Sequence, residues 1–290
     1  MDMMRREIAI CTRLLVDVGI LEYSGHISSR LPSGDEFLIQ PVDDVRSALE
    51  PSRLLVVGLD GEVIEGEGKP PSETAIHAEI YKARPDVKAV AHFHHDPTTM
   101  LSMVRNRPWV PMKNHASRWP QGVPIHHDAS HISSVEQGQE LARTLGDANA
   151  ALLRGHGEVV VAEGVKALFS DIVHFVENAS AISSAALLGE IEPLTNEDLE
   201  KFQATFHREK HSRKLWAYYT VTAANANGQS SSRDTIPALA APLNYPCRIT
   251  LLSPALCTGP KRCYRSETTF KKQPYENTFN NEQSVLIRER

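Results

Sequence analysis

The chain has 290 residues, of which 41% are hydrophobic and 23% are charged, so it can bury a substantial core in one large or two small domains. Its net charge of −5 is unevenly distributed, because 22 Lys and Arg stand against 31 Asp and Glu before Ala217, and nine stand against five after it. An acidic body argues against nucleic acid as the main partner, and four cysteines without metal-type or disulfide-type spacing indicate free thiols.

The first predicted element is an amphipathic helix over residues 5–18, where apolar residues recur with helical spacing. Residues 8–20 form an apolar stretch, but Arg13 and Asp17 interrupt it, and it lacks a small-residue cleavage site. The stretch therefore resembles neither a signal peptide nor a transmembrane helix, and we expect a cytoplasmic protein with no membrane partner.

A short strand is predicted over residues 37–40, and two strands joined by an Asp-Gly turn are predicted within residues 54–64. Ser72 is the predicted N-cap of the helix that follows. This start places Glu73 in the first turn, where the helix dipole favours the charged form of the carboxyl group.

Strands and helices continue to alternate through the next part of the chain. The predicted segments are a strand at 87–93, a helix at 133–145, strands at 150–154 and 158–161, and a long helix rich in Ala and Ser at 165–188. Alternation of this kind indicates a three-layer α/β domain that occupies residues 1–215.

The composition and the hydrophobic periodicity of the sequence change in residues 216–290. Ser, Thr, Asn and Pro are scattered there among isolated apolar residues, with no sustained period of two or 3.6, and all thirteen histidines lie before this segment. We expect an irregular, poorly ordered extension without catalytic residues. An oligomerisation arm and a sequence unrelated to the ancestry of the domain are the alternatives.

Three histidines and one carboxylate form the main candidate site. Side chains two residues apart on a strand share a face, so His92 and His94 in Ala-His-Phe-His-His can hold one cation at the end of a sheet. His156 in Arg-Gly-His-Gly and Glu73 in Pro-Pro-Ser-Glu-Thr complete the set. Three imidazoles with open coordination positions are typical of a catalytic centre, since a structural zinc is closed by a fourth protein ligand, usually cysteine. We expect Zn²⁺, with Fe²⁺ or Mn²⁺ as alternatives.

The other histidines have less specific settings in the sequence. His115 can line a pocket or have a structural role, and His174, on the long helix, is expected in the core or at an interface. His126, His127 and His131 are expected to be exposed loop residues. None of these five is predicted to bind the metal.

Four separated motifs resemble those of the class II aldolase/adducin family, in the same order and with the same spacing. They are Ser-Gly-His-Ile-Ser-Ser-Arg (24–30), Lys-Pro-Pro-Ser-Glu-Thr (69–74), Arg-Pro-Asp-Val-Lys-Ala-Val-Ala-His-Phe-His (84–94) and Leu-Arg-Gly-His-Gly (153–157). The resemblance covers about residues 5–210 of the chain. It implies an α/β/α sandwich around a mostly antiparallel or mixed sheet, and a fourfold-symmetric homotetramer.

The resemblance also implies that His92, His94 and His156 bind a divalent metal and that Glu73 occupies the acid/base position. The chemistry of these groups supports the same roles. A divalent cation can stabilise the negative charge that develops when an adjacent C–C bond breaks to leave an enolate, and a nearby carboxylate can move the proton. This chemistry is that of a carbon–carbon lyase.

Departures from the family pattern indicate the substrate class. Members that act on sugar phosphates resemble one another in an Asn within Gly-Asn-x-Ser, a Thr/Gly turn and paired serines that cradle the phosphate. This chain instead has His26, then Pro-Val-Asp-Asp at 41–44, then Pro71-Ser72. Because proline removes an N–H donor and two aspartates repel a dianion, we expect a substrate without phosphate.

A branch of the family with Gly-His-x-Ser-x-Arg and His-Phe-His-His resembles this chain more closely. It contains decarboxylases of hydroxylated aromatic acids and of related ring-cleavage products. The resemblance therefore implies a decarboxylase of a small carboxylate of the dihydroxyphthalate or dihydroxybenzoate type. Under this hypothesis His26, Ser28, Arg30 and Ser72 bind the substrate, with Arg30 or His26 at its carboxylate.

Three other functions remain open at this point. A class II aldolase could cleave a hydroxy-keto compound or a sugar, phosphorylated or not, with the same groups. A metal hydrolase could use three histidines to activate water, although the family resemblance argues against it. A non-catalytic adducin-like module is disfavoured because Glu73 and the three histidines are all present.

Overall fold

The computed structural model describes residues 1–105 and 108–228 of the chain. Its centre is a sheet of eight strands in the order β4-β3-β2-β1-β5-β8-β7-β6. The strands are β1 (His26–Arg30), β2 (Glu36–Ile39), β3 (Leu55–Gly58), β4 (Val63–Glu65), β5 (Ala89–Phe93), β6 (Ile125–His126), β7 (Ala150–Leu153) and β8 (Gly157–Ala162). Neighbouring strands are antiparallel except β6 and β7, which are parallel, so the predicted mixed, mostly antiparallel sheet is confirmed.

Helices cover both faces of this sheet. They are α1 (Asp2–Asp17), α2 (Thr74–Ala83), α3 (Asp96–Leu101), α4 (Val135–Leu145), α5 (Val165–Leu188), α6 (Asn196–Gln203) and α7 (Arg208–Gly228). Ala89, Ala91 and Phe93 of β5 belong to the core on the side of α1 and α5. Val90 of β5 packs in the second core, with α2 and α4. Alternate residues of one strand thus supply two cores, which confirms the predicted three-layer sandwich.

Strand β1 is central in the sheet although no strand was predicted there. Its sequence, His-Ile-Ser-Ser-Arg, is mostly polar, yet all five residues are buried. The polar side chains of His26, Ser28 and Arg30 are hydrogen-bonded to groups of helix α2. A hydrophobic pattern cannot reveal a strand whose buried side chains are polar and internally hydrogen-bonded.

The start of α2 differs from the prediction. Ser72 lies in a turn in which the Thr74 N–H donates to the Pro71 carbonyl at 3.0 Å, and the helix begins at Thr74 with Glu73 as its N-cap. The Glu73 side chain makes no capping hydrogen bond. The turn that follows two prolines shifts the cap by one residue, and it leaves the Glu73 carboxylate available for other partners.

Helix α7 crosses the predicted boundary at residue 216. Leu215, Trp216, Tyr219 and Ala223 pack against the core on the side of α1 and α5, with the spacing of one helical face. The rest of the predicted extension, residues 229–290, lies outside the described residues, so the division into 1–215 and 216–290 stays a prediction. Among the residues described, no helix combines the length and apolar character needed to cross a membrane.

Candidate metal centre

Three elements bring the predicted metal-binding groups together. His92 is on β5, His94 follows the end of that strand, His156 lies in the turn between β7 and β8, and Glu73 caps α2. The pairing of β5 with β8 places Phe93 opposite Glu158, and this register carries the turn with His156 to the side of His94. The predicted convergence at one end of the sheet is therefore what the fold produces.

Distances within this cluster suit a single cation. The Nε2 atoms of His92 and His94 lie 3.0 Å apart, and one donor atom from each of the four residues lies within 4.8 Å of the others. Glu73 Oε2 is 3.3 Å from His92 Nε2, and Glu73 Oε1 is 3.5 Å from His156 Nε2. Three imidazole nitrogens and one carboxylate oxygen form a donor set that fits a divalent transition metal such as zinc.

Hydrogen bonding prepares His92 for metal binding. Its Nδ1–H donates to the main-chain carbonyl of Glu158 at 3.0 Å. A proton on Nδ1 leaves the lone pair of Nε2 free, and Nε2 is the atom that faces His94 and Glu73. The carbonyl of β8 thus fixes both the orientation and the tautomer of this ligand.

Glu73 is buried in its ionised form. Burial opposes ionisation, but the contact with His92 and the hydrogen bond from the Ile132 N–H at 3.0 Å outweigh it and lower the pKa of Glu73 to about 2. Burial, together with the neighbouring His92 and His156, lowers the pKa of His94 to about 4. At neutral pH the site therefore contains a carboxylate and a neutral imidazole, the forms that bind metals.

A close approach at Gly157 permits this packing. A Cβ atom there would lie 2.5 Å from the Phe93 carbonyl oxygen and 2.6 Å from His94 Cδ2. Only a residue without a side chain lets the β7–β8 turn come this close to the end of β5. Gly157 of the Gly-His-Gly motif therefore has a steric role in placing His156 beside His94.

Two of the four predicted substrate-binding residues, His26 and Ser28, lie behind the candidate metal cluster. His26 Nδ1 is 2.6 Å from His77 Nε2, His77 Nδ1 is 2.6 Å from Ser28 Oγ, and Ser28 Oγ is 2.7 Å from the Tyr81 hydroxyl. Burial lowers the pKa of His77 to about 3, so this hydrogen-bonded chain is neutral. His26, Ser28 and α2 are thereby joined beneath His92, which pairs with His26 across the sheet.

Arg30 lies farther away, at the opposite end of β1. Four residues along a strand span about 13 Å, so it is remote from the metal-binding end marked by His26. Its guanidinium donates to the Tyr81 carbonyl and lies over the Tyr81 ring, 5.0 Å from the centroid. The structure thus gives Arg30 a partner within α2 and does not bring it to Glu73.

Ser72, the fourth predicted residue, is exposed beside the cluster together with His131. Ser72 Oγ is 3.4 Å from His131 Nε2, and that nitrogen is 3.6 Å from Glu73 Oε2. His131 was predicted to be an ordinary exposed loop residue. It is indeed exposed, but it lies at the site because the Ile132 N–H binds Glu73 and holds this loop against α2.

The chain is similar to several known proteins. The family model described as the class II aldolase and adducin N-terminal domain matches residues 6–182. A 3,4-dihydroxyphthalate decarboxylase from Rhodococcus jostii (strain RHA1) is 28% identical over 235 residues, which cover 75% of this chain and 94% of the relative.

Two further similar proteins come from Escherichia coli. A 3-oxo-tetronate 4-phosphate decarboxylase of strain K12 is 30% identical over 166 residues, covering 55% of this chain and 76% of the relative. The crystal structure of the protein YgbL superposes with a TM-score of 0.62 at 26% identity, covering 69% of this chain and 98% of that one. The metal-binding elements α2, β5 and β8 fall within the region that the family model matches.

Proposed function

Because the chain belongs to the class II aldolase and adducin family, we propose that it is a metal-dependent decarboxylase of a hydroxylated aromatic carboxylate that carries no phosphate. Lyase activity in general is supported by relatives that are decarboxylases. The observation that carries the finer proposal is the convergence of Glu73 with His92, His94 and His156 within 4.8 Å. The substrate class is of the dihydroxyphthalate or dihydroxybenzoate type, or a related ring-cleavage product.

The proposed roles follow from the positions of these groups. His92, His94 and His156 would hold a divalent cation, with Glu73 as a further ligand when no substrate is bound. Such a cation supplies Lewis acidity, which stabilises negative charge on a substrate oxygen. Glu73, ionised and buried beside the cluster, can take a proton from a substrate hydroxyl and return it to carbon.

Decarboxylation by this route accounts for the bond that breaks, the electron pair and the proton. The bond between the ring carbon and the carboxylate breaks, carbon dioxide leaves without the bonding electrons, and the electron pair remains on the ring as an enolate-type charge. A proton then adds to the same ring carbon. Glu73 is the proposed carrier of that proton because its carboxylate is the group that the fold places beside all three histidines.

The loop at residues 41–44 supports a substrate without phosphate. Asp44 accepts two hydrogen bonds from Arg53, at 3.1 and 3.0 Å, so its charge is already paired with the nearest guanidinium. Arg46 is buried and donates to main-chain carbonyls of the loop and to the Gly25 carbonyl at 3.0 Å. Both cations are thus engaged within the protein, and Asp43 adds an exposed negative charge.

The surroundings of Glu73 favour a polar, planar substrate. Ser72 and His131 are the exposed polar groups next to the carboxylate, and we propose that they contact substrate oxygens. The contacts of His26, Ser28 and Arg30 within α2 fit a supporting role better than direct binding. The proposal further includes Zn²⁺ as the metal and a homotetramer in the cytoplasm.

The test is release of carbon dioxide from a panel of dihydroxybenzoates and dihydroxyphthalates by the zinc-reconstituted protein. We expect turnover by the wild type, loss of turnover in His94→Ala, and a decrease of about 10²–10⁴-fold in Glu73→Gln. His127→Ala is the matched control, because His127 is an exposed histidine outside the cluster and should leave activity unchanged.

Other outcomes discriminate between the remaining functions. Aldehyde release from a hydroxy-keto compound or sugar phosphate, with no carbon dioxide from the panel, would replace the decarboxylase by an aldolase. Full activity in His94→Ala would contradict the metal site itself. Turnover of a 3-oxo-tetronate 4-phosphate, the substrate in the name of the Escherichia coli relative, would contradict the proposal that the substrate carries no phosphate.

A further inference from the structure

A second group of three histidines lies on the other side of the sheet. His115 is in the 3₁₀ helix Asn114–Arg118, His174 is on α5 and His211 is on α7. The Nε2 atoms of His174 and His211 are 2.8 Å apart, and the ring of His115 has its centroid 4.2 Å from that of His174 and 4.6 Å from that of His211. One nitrogen from each ring lies within 4.8 Å of the other two.

The ring nitrogens of this group lack the hydrogen bonds that buried polar atoms normally make. Among the described residues, His115 Nδ1 is buried without a hydrogen-bond partner, and His174 Nδ1 is buried with its nearest carboxylate, Glu177, 3.6 Å away, farther than a normal hydrogen bond. The facing Nε2 atoms of His174 and His211 cannot both carry protons at 2.8 Å, so at least one lone pair points into the group. A cation would satisfy these lone pairs together.

A carboxylate stands behind one of the three rings, as in many metal sites. Glu177 Oε2 is 3.6 Å from His174 Nδ1, and Lys113 holds the same oxygen at 2.9 Å. A carboxylate facing Nδ1 favours the tautomer with a proton there, which frees Nε2 for a metal. His174 therefore has the arrangement that His92 has in the first cluster, with Glu177 in place of a main-chain carbonyl.

Access from solvent is provided by a neighbouring cavity of about 320 Å³. His115 and His174 line it, together with Ser117, Arg118 and Arg208. The two arginines are ion-paired with Asp171, at 3.2 and 2.6 Å, and with Glu163, at 3.6 and 3.1 Å, so two carboxylates balance their positive charges. A fourth coordination position can open into this space.

We propose that His115, His174 and His211 form a second binding site for a divalent transition metal, Zn²⁺ in the first instance, that ties α7 to α5. Its ligands come from three elements that are remote in sequence, so the ion links the last described helix to the domain. This inference does not depend on the proposed decarboxylase activity, since it concerns different residues on the opposite side of the sheet.

The test counts zinc in the full chain after equilibration and removal of free metal. We expect about two ions per chain in the wild type, about one in His94→Ala, about one in His211→Gln, and none in the double variant. His207→Ala is the matched control: His207 is exposed, precedes α7 and lies four residues before His211, and its loss should leave the count at two.

A second measurement removes the ambiguity of a variant that fails to fold. Adding Zn²⁺ to His94→Ala should raise its thermal midpoint, because only the folded chain assembles the three ligands. The same addition should leave the midpoint of His94→Ala/His211→Gln unchanged, at equal helix content by circular dichroism. Zinc binding by His94→Ala that persists in the double variant, or no binding by His94→Ala, would overturn the proposal, whatever activity the wild type has.

Discussion

Two buried carboxyl groups beside the metal centre have pKa values shifted in opposite directions. For Glu73, burial opposes ionisation, but the contact with His92, the hydrogen bond from the Ile132 N–H and the nearby His156 outweigh burial and lower the pKa to about 2. For Glu158, burial raises the pKa well above its usual value, and the bonds from the His95 N–H and the Thr99 hydroxyl do not reverse this effect. Glu158 is the more deeply buried of the two and has the weaker partners, whereas Glu73 lies against imidazoles, so burial and partners together separate the two pKa values.

The buried carboxyl group of Glu158, whose pKa is raised, leads to a prediction about stability. Its two oxygens accept hydrogen bonds from the His95 N–H at 2.8 Å and from the Thr99 hydroxyl at 3.0 Å. Glu158→Ala leaves both donors without a partner and should lower the free energy of unfolding by about 2–4 kcal/mol. Glu158→Gln keeps the shape and one acceptor, so it should cost less than about 1.5 kcal/mol in urea unfolding.

Metal binding should distinguish the side chain of Glu158 from its main chain. His92 bonds to the Glu158 carbonyl, which both substitutions retain. Glu158→Gln should therefore bind zinc at His92 and His94 as the wild type does. If Glu158→Gln and Glu158→Ala lower the free energy of unfolding equally, the neutral carboxyl is not the form that Glu158 has in the folded protein.

At the scale of elements, the contact between α2 and α4 sets the position of Glu73. The two helices touch at Gly138 of α4, where a Cβ atom would lie 2.7 Å from the Ala75 carbonyl oxygen and 2.8 Å from Glu79 Cγ. Ala75 is two residues after Glu73, so a displacement of this turn moves the carboxylate directly. The glycine makes the close helix contact possible.

Gly138→Ala should therefore destabilise the protein despite the higher helix propensity of alanine. The propensity gain is about 1 kcal/mol, whereas overpacking against an immobile main-chain carbonyl costs about 1–3 kcal/mol. We expect a net loss of up to about 2 kcal/mol in urea unfolding and weaker activity, because Glu73 is displaced from His92.

Gly164→Ala is the matched control for that experiment. Gly164 precedes α5 with an extended backbone, and its Cβ would meet nothing within 4 Å. Its substitution should change the free energy of unfolding by less than about 0.5 kcal/mol. A Gly138→Ala protein as stable as this control would show that α4 moves aside without affecting α2.

The elements that could be predicted from sequence are those with a continuous apolar pattern. The strands around residues 87–93 and 158–161 and the helix at 165–188 appear as β5, β8 and α5 with nearly the predicted bounds. Strand β1 escaped prediction because its buried polar side chains are satisfied by α2, a partner almost 50 residues away. Tertiary hydrogen bonding of this kind leaves no local periodicity.

In the candidate site, too, residues identified by their local sequence could be predicted, whereas those positioned by contacts distant in sequence could not. His92 and His94 could be paired from strand alternation alone, His156 and Glu73 were candidates from their local sequences, and the resemblance supplied their expected roles. The position of His131 could not be predicted, because it depends on a hydrogen bond from the Ile132 N–H to the side-chain carboxylate of Glu73 across 59 residues. The group of His115, His174 and His211 likewise forms only when α7 packs on α5.

At the scale of the whole molecule, the sheet separates the two histidine groups. Glu73 and His92 lie on the side of α2 and α4, whereas His174 and His211 belong to helices on the side of α1 and α5. No member of one group is bonded to a member of the other among the described residues. Substitutions in one group should therefore leave the other intact, and their effects on metal content should add.

The role of the C-terminal segment can be decided by comparing two truncated chains. A chain that ends at Gly228 retains both histidine groups and all of α7, so we expect its zinc content, lyase activity and thermal midpoint to match the wild type. A chain that ends at Leu215 loses Trp216 and Tyr219, whose rings lie 5.7 and 5.3 Å from that of Phe169. Removing two partly buried aromatic side chains should cost at least about 2 kcal/mol.

These two chains test where the catalytic domain ends. Instability of the shorter chain alone would move the predicted boundary from residue 215 to the end of α7, because the face formed by Trp216, Tyr219 and Ala223 would then be part of the domain core. Loss of zinc or activity in the chain that ends at Gly228 would contradict the expectation that residues 229–290 carry no chemistry. Equal stability of both chains would mean that α7 contributes little beyond His211, and the boundary at residue 215 would stand.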